Sequence, residues 1–327
     1  MELQMRWISE YEVGTKLDRE TLINQIEQAF RELKRGVIVN CREIEIVDPT
    51  RGVQFTCYPA YSGVSHTYSV KVISEVDENP KKGLPLSYSL VCLFDGKTGM
   101  PLAVVSGRHL TALRTAAASA VATRWIARQN TDTLGIIGTG LVASAHAELI
   151  PLVRQFKQIV VASGSGDLKR AESFAANIQE KTGIACAHGD ILDVASAADV
   201  LTVASLSSSP SFQIADLKEH VHINTVGRFL PTSNVIPVEL LRSAGRVVSD
   251  LPQRLKEQWA VNQSSLSTVD FDRVESLADV VSENNVSDRM GRTVFLSDGL
   301  AIEDLAAANS IVGQAERQKF GYLLLST

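Results

Sequence analysis

The chain has no long apolar run: nothing in its 327 residues approaches the roughly 18 consecutive apolar residues needed to cross a bilayer. Its start, MELQMRWISEYEVG, has no basic-then-apolar leader pattern, so a soluble, cytoplasmic protein is expected. A positive balance is missing too. With 32 basic residues against 37 acidic ones, the sequence gives no reason to expect a surface for nucleic acid or an anionic membrane, and small molecules are the expected partners. The four cysteines, Cys41, Cys57, Cys92 and Cys186, show no C-x-x-C spacing, which predicts reduced, buried thiols rather than disulfides or a zinc site. The histidines, His66, His109, His146, His188, His220 and His222, show no H-E-x-x-H or similar spacing, so no metal is expected.

What is present is a change of texture along the chain. Leu22, Ile23, Ile26, Ala29, Phe30 and Leu33 recur at helical spacing after Asp18 or Thr21 as caps. From about residue 37 to 105 come short β-rich runs, separated by Asp48-Pro49, Asn79-Pro80 and Asp95-Gly96, which predicts an antiparallel sheet. An Ala-rich stretch free of Gly and Pro, Leu110 to Gln129, predicts a helix of about five turns. From Thr133 onward strands and helices alternate, as parallel strands with crossover helices require. The expected fold is therefore α/β. A Rossmann-type doubly wound domain over 130–301 accompanies an α+β domain over 1–129, completed by a C-terminal helix within 302–327.

Two sets of residues point to chemistry. Gly138-Thr139-Gly140-Leu141-Val142-Ala143 follows a short apolar strand and opens a helix, the setting in which a G-x-G-x-x-A turn binds a dinucleotide. Gly138 permits the tight turn, Gly140 lets backbone approach a pyrophosphate, and the helix amides bind it. The second strand ends Val161-Ala162-Ser163 with no carboxylate before Asp167, while Lys169 and Arg170 follow, which favours NADP(H) over NAD(H). In the first domain three cations stand in apolar or β-like surroundings: Arg42, Lys71 and Arg114. A guanidinium and an ammonium together suit an α-carboxylate, and a desolvated lysine can donate a proton.

Gly83-Leu84-Pro85, LFDGKTGMPLAVVSGRHLTALRTAAASAVA, LGIIGTG, HINTVG and VFLSDGLAIEDLAAA, in that order and spacing, resemble the ornithine cyclodeaminase/mu-crystallin family from about Arg42 to Ala308. The resemblance implies a homodimer built on the sheet-rich domain. It also implies hydride transfer at Cα between a nicotinamide cofactor and a small amino or imino acid. By position, Arg42, Lys71, Arg114 and Asp298 are implied to bind substrate, with Lys71 handling its proton. Arg114, Thr115, Gly138, Gly140, Leu141, Val142, Ser163, Ser205, Val226, Gly227 and Ser297 are implied to contact the cofactor.

One departure bears on the reaction. Where cyclodeaminases of the family place a catalytic Asp, this sequence has Phe229, which transfers no proton, so imine reduction or amino-acid dehydrogenation is expected ahead of cyclodeamination. Cyclodeamination through another base stays open, as does a non-catalytic dinucleotide or small-ligand binder. Retention of Arg42, Lys71 and Arg114 together speaks against the binder.

Overall fold

The computed structural model describes residues 4–205, 211–227, 236–260, 269–283 and 291–325. The chain begins with β1 (Gln4–Ile8), α1 (Glu10–Lys16) and α2 (Arg19–Lys34). It continues through β2 (Ile38–Asn40), β3 (Ile44–Asp48), β4 (Val53–Ser62), β5 (Thr67–Val76), β6 (Ser87–Asp95) and β7 (Pro101–Ser106), then enters α3 (Gly107–Ile126). The alternating part comprises β8 (Thr133–Ile137), α4 (Leu141–Leu149), β9 (Gln158–Ala162), α5 (Leu168–Thr182), β10 (Ala185–His188), α6 (Ile191–Ala197), β11 (Val200–Val203) and β12 (His222–Val226). After these come α7 (Val238–Ser243), β13 (Arg246–Ser249), α8 (Pro252–Ala260), β14 (Val274–Ser276), α9 (Leu277–Ser282) and β15 (Thr293–Ser297). Last are α10 (Ala301–Gln318) and β16 (Tyr322–Leu325).

Two compact units result: one runs to Arg114 and resumes at Leu300, the other spans Thr115–Gly299. The division falls inside α3, upstream of the 129/130 break read from composition. The reason lies in the partners of α3. Its start is held by Glu10 and Glu303 of the first unit, and its later turns by His146 and Asn224 of the second. The helix is buried all round, with Ala116, Ala117, Ala118, Ala120, Val121 and Ala122 inaccessible, which is why its sequence shows no polar face.

In the first unit the sheet order is β16-β1-β7-β6-β5-β4-β2, with β3 also pairing β4. It is antiparallel except for β1 against β7, a parallel pair whose first strand, Gln4–Ile8, precedes the expected helix and was not expected itself. α2 forms where Leu22, Ile23, Ile26, Ala29 and Phe30 give one buried stripe, and Asp18 caps it by accepting from Thr21 N. α10 packs against α2 and across β4, β5 and β6. That covered sheet face carries Thr56, Ala60, Thr67, Ser69, Lys71, Val91 and Leu93, all buried. The alternate positions Ile44, Ile46, Phe55, Tyr68, Tyr88 and Leu90 remain exposed on the opposite face. The thiols depart from expectation: Cys41 is exposed in the link between β2 and β3, and Cys57, Cys92 and Cys186 are half-buried on β4, β6 and β10. All four are free.

In the second unit eight parallel strands run in the order β10-β9-β8-β11-β12-β15-β13-β14, a doubly wound sheet whose order reverses at β8 and β11. One core holds Leu134, Ile136, Ala143, Ile159, Val161 and Ile178. The other holds Ile137, Val194, Leu201, Val203, Ile223 and Leu296. Gly135 sits mid-strand because a Cβ there would lie 2.8 Å from Ala198 Cβ, so its absence lets the chain after α6 approach the sheet. α4 stops at Leu149, where Pro151 turns the chain into a single 3-10 turn.

Candidate active site

The strand ends of the second unit gather along one edge of its sheet. Gly138 follows β8 with φ +129°, and a Cβ there would meet the Ala204 carbonyl oxygen at 2.3 Å, so only glycine fits. Gly140 is the N-cap of α4, and a Cβ on it would meet nothing within 4 Å. The first helical bond returns from Ser144 N to Gly140 O, so the amides of Leu141, Val142 and Ala143 precede the hydrogen-bond ladder. Beside this turn, Ser163 ends β9 and shares a 2.9 Å hydroxyl contact with Ser165, while Gly164 lies against Ser205 Oγ. Farther along, Val226 pairs with Ser297, and Gly227, at φ +140°, donates to Ser297 O. The Ser297 hydroxyl is buried with no hydrogen-bond partner among the described residues. An open-fronted glycine at a helix N-terminus, together with a buried hydroxyl, farther along the same sheet edge, that has no partner among the described residues, fits the pyrophosphate and nicotinamide portions of a dinucleotide. Leu141, Val142, Gly138, Gly140 and Ala143 would hold the phosphates there. Thr115, buried on α3, makes no hydrogen bond to these strand ends among the described residues.

Asp298 stands at the turn after β15. Asp250, buried at the end of β13, accepts from Asp298 N at 2.9 Å and Gly299 N at 2.8 Å. The Asp298 carboxylate lies 3.0 Å from Arg254 Nε. Asp250 and Arg254 were not singled out in the sequence; the acid closing the run GRVVSD was the available signal.

Within the first unit the site is made of side chains. Lys71, on β5, is 2 % exposed, so its ammonium is withdrawn from solvent. Its Nζ lies 2.9 Å from Asp304 Oδ2 and 4.6 Å from the centre of the Tyr58 ring. Arg114, also buried, places Nε 3.0 Å from Asp304 Oδ1 and Nη1 2.8 Å from Glu303 Oε2. Burial is the largest influence on Lys71 and holds its ammonium below the usual lysine range. Arg114 pushes the same way, and Asp304 and Glu303 oppose it. Asp304 and Glu303 were missed because the stretch AIED reads as the ordinary acidic first turn of a helix. Arg42 is exposed in the link between β2 and β3 and makes no hydrogen bond or ion pair among the described residues. Its neighbours bracket its place: Cys41 N bonds Pro59 O and Ile44 pairs with Cys57, so residues 42 and 43 run along the stretch of β4 that holds Tyr58, the cross-strand partner of Lys71.

Residues 2–319 match the sequence profile of the ornithine cyclodeaminase/mu-crystallin family. The chain belongs to that family. A Delta(1)-pyrroline-2-carboxylate reductase of Bacillus cereus (strain ZK / E33L) is 33 % identical over 262 residues, 77 % of this chain and 78 % of the relative. The Thermococcus litoralis Delta(1)-pyrroline-2-carboxylate reductase, solved with NADH and L-proline, superposes with a TM-score of 0.88 at 29 % identity, covering 97 % of this chain and 99 % of that one. An archaeal alanine dehydrogenase dimer with bound NAD gives a TM-score of 0.88 at 26 % identity, covering 98 % and 99 %. The family's aspartate position, Phe229 here, lies outside the described residues, as do Asn234 and Val235 of the same loop.

This family member also holds a buried polar chain that sequence spacing did not reveal. The Val142 carbonyl can only accept, so His146 donates to it from Nδ1 (2.7 Å) and its Nε2 accepts from Ser119 Oγ (2.9 Å). Thr123 donates to Ser119 O and accepts from Asn224 Nδ2, whose Oδ1 accepts from His222 Nε2. His222 Nδ1 then accepts from Thr293 Oγ1 at 2.9 Å. Burial lowers His146 to about 4 and His222 to about 3, so both imidazoles stay neutral at ordinary pH. His109, by contrast, meets Glu10 at 2.6 Å, and the Glu10 carboxylate also accepts from the Arg108 and His109 amides at the start of α3. Its role is to cap that helix. Among the described residues no cluster of His, Cys, Asp and Glu is arranged to hold a metal.

Proposed function

We propose that Arg42, Arg114 and Lys71 form the substrate site of an imine reductase, with Lys71 as the proton donor. The reaction class is that of the family: an NAD(P)H-dependent oxidoreductase acting on the C=N or CH–NH bond of a small amino or imino acid. A cyclic imine bearing a carboxylate, of the Δ1-pyrroline-2-carboxylate kind, is the substrate this reading favours. Arg42 takes the carboxylate, since an exposed guanidinium with no partner among the described residues has its fork to offer. Arg114, anchored by Glu303 and Asp304, adds a second positive charge beside Lys71. Lys71 gives its proton to the substrate nitrogen as C=N becomes CH–NH; burial, which weakens its hold on the proton, suits it to that task. When bound, the nicotinamide supplies the hydride to the adjacent carbon. Phe229, in place of the family's acid, favours reduction over ammonia loss.

The observation that carries this reading is the burial of Lys71 beside Asp304 and Arg114 at positions the family resemblance assigns to substrate. Lys71→Ala should lower turnover of Δ1-pyrroline-2-carboxylate on the order of 1,000-fold while leaving the NADPH dissociation constant unchanged. Preserved turnover would sink the role.

NADP(H) is the preferred cofactor in this reading. Asp167, the nearest acid past β9, caps α5 by accepting from Arg170 N, and Ser163 and Ser165 stand where an acid would meet the ribose. Asp298, paired with Arg254, shapes the turn after β15. A homodimer would cover the exposed face of the first sheet, where Ile44, Ile46, Phe55, Tyr88 and Leu90 lie on the side opposite α10. Ile46→Glu should halve the mass measured by light scattering; an unchanged mass would point to another interface. The four unpaired thiols suit a reducing, cytoplasmic location.

A further inference from the structure

Lys71 and Arg114 stand on a strand and a helix far apart in sequence, and both reach the same carboxylate. Asp304 presents Oδ2 to Lys71 Nζ at 2.9 Å and Oδ1 to Arg114 Nε at 3.0 Å, and is itself 1 % exposed. Among the described residues, the groups around the Lys71 ammonium come from four packed elements. α10 supplies Asp304 and Glu303, α3 supplies Arg114, β4 supplies the Tyr58 ring, and β6 supplies the apolar Val91 at the same register. Two cations thus meet two carboxylates. Both acids lie in the first turn of α10, where the helix dipole favours negative charge. Glu303 is bonded to Arg114, so with Asp304 neutral Lys71 would face a guanidinium with no carboxylate of its own.

We infer that Asp304 is a positioning residue: its two oxygens set Lys71 and Arg114 side by side and keep the Lys71 ammonium charged until the substrate nitrogen takes its proton. This rests on the reading of Lys71 as proton donor. The structural consequence is that α10, Ala301–Gln318, governs the geometry of a site whose cations come from β5 and α3, nearly two hundred residues and more before it.

The test is the pH dependence of Δ1-pyrroline-2-carboxylate reduction with NADPH by the full-length enzyme, wild type against D304N, D304E and E303Q. Removing the carboxylate makes the ammonium easier to deprotonate, so the falling alkaline limb of kcat should move down by about one pH unit or more in D304N, with kcat lowered on the order of 100-fold. D304E should bring the limb back toward wild type while kcat stays reduced, because the carboxylate is one methylene out of place. E303Q, whose bonded partner is Arg114 and whose pull on Lys71 is weaker than that of Asp304, should move the limb in the same direction but by less than D304N. A folded D304N with lowered kcat and an unmoved limb would make Asp304 merely structural and overturn the inference. If D304N does not fold, a D304E enzyme with wild-type kcat overturns it equally. A 13C-lysine NMR titration, with the Lys71 signal assigned through Lys71→Arg, separates the two readings. If Lys71→Ala keeps its turnover, the proton-donor role fails, while a lower Lys71 titration in D304N still upholds the Asp304 linkage.

Discussion

The two units build their sites from different materials. In the second, the dinucleotide edge is made of backbone: amides at the start of α4, a glycine forced to φ +129°, and chain ends of parallel strands. In the first, the site is made of side chains, with Lys71, Arg114 and Asp304 brought together by tertiary packing. A backbone site constrains consecutive residues and so leaves a local pattern in the sequence. A side-chain site constrains residues distributed along the chain and leaves almost none.

The sharpest way to break this contrast is at Gly138. Gly138→Ala would force a Cβ against the Ala204 carbonyl at a φ that L-residues avoid, and should cost about 3 kcal/mol of stability together with most NADPH affinity. Denaturant melts and cofactor titration would report both, and a variant binding NADPH normally would show that the turn is less constrained than its geometry indicates.

That contrast also explains how much of the molecule was legible beforehand. Gly138, Gly140 and the alternation after Thr133 gave the parallel sheet, since each strand–turn–helix unit needs only neighbouring residues to declare itself. Asp304 and Glu303 were overlooked because nothing near AIED distinguishes a buried acidic pair from a solvated first turn. β1 was hidden for the same reason: Gln4–Ile8 becomes a strand only because β7 and β16 lie on either side of it. Thr123, His146, His222 and Asn224 form their chain across α3, α4 and β12, so spacing could not show it.

That buried chain gives the second prediction, and it inverts the expectation that polar side chains matter only at the site of chemistry. A histidine whose folded pKa is depressed binds its proton more readily when unfolded, so stability is full above about 6.5 and is lost as pH falls toward the folded value. With His146 at about 4 in the folded chain, the loss should reach about 3 kcal/mol between those limits, and His222 should extend the decline toward about 3. Urea midpoints measured across that range should fall with pH in wild type and less steeply in His146→Gln. A slope unchanged by that substitution would assign the acid sensitivity elsewhere.

Smaller effects sharpen the division of labour. Arg42 is exposed and carries no structural partner among the described residues, so Arg42→Ala should leave the melting temperature unaltered and raise KM for the imine roughly 30-fold with little change in kcat. A loss expressed in kcat would instead place Arg42 in the chemical step. At the dinucleotide edge, replacing the exposed Lys169 and Arg170 by Ala should weaken NADPH about fivefold and leave NADH untouched. Equal losses for both cofactors would remove the case for NADP(H).

The order of the parallel sheet has a consequence for how the protein is made. β15 pairs with β12 on one side and β13 on the other, although both precede it in the chain. The second unit therefore cannot close its sheet until Ser297 has been synthesised. The first unit waits longer still, since α10 must cover β4, β5 and β6, and β16 must pair with β1. Sequential folding as the chain emerges is thus denied to both, and each passes through a stage with open strand edges and an uncovered apolar face. An interruption of translation before residue 293 would release neither half finished. The first unit's apolar strands would be uncovered longest, until α10 and β16 are made.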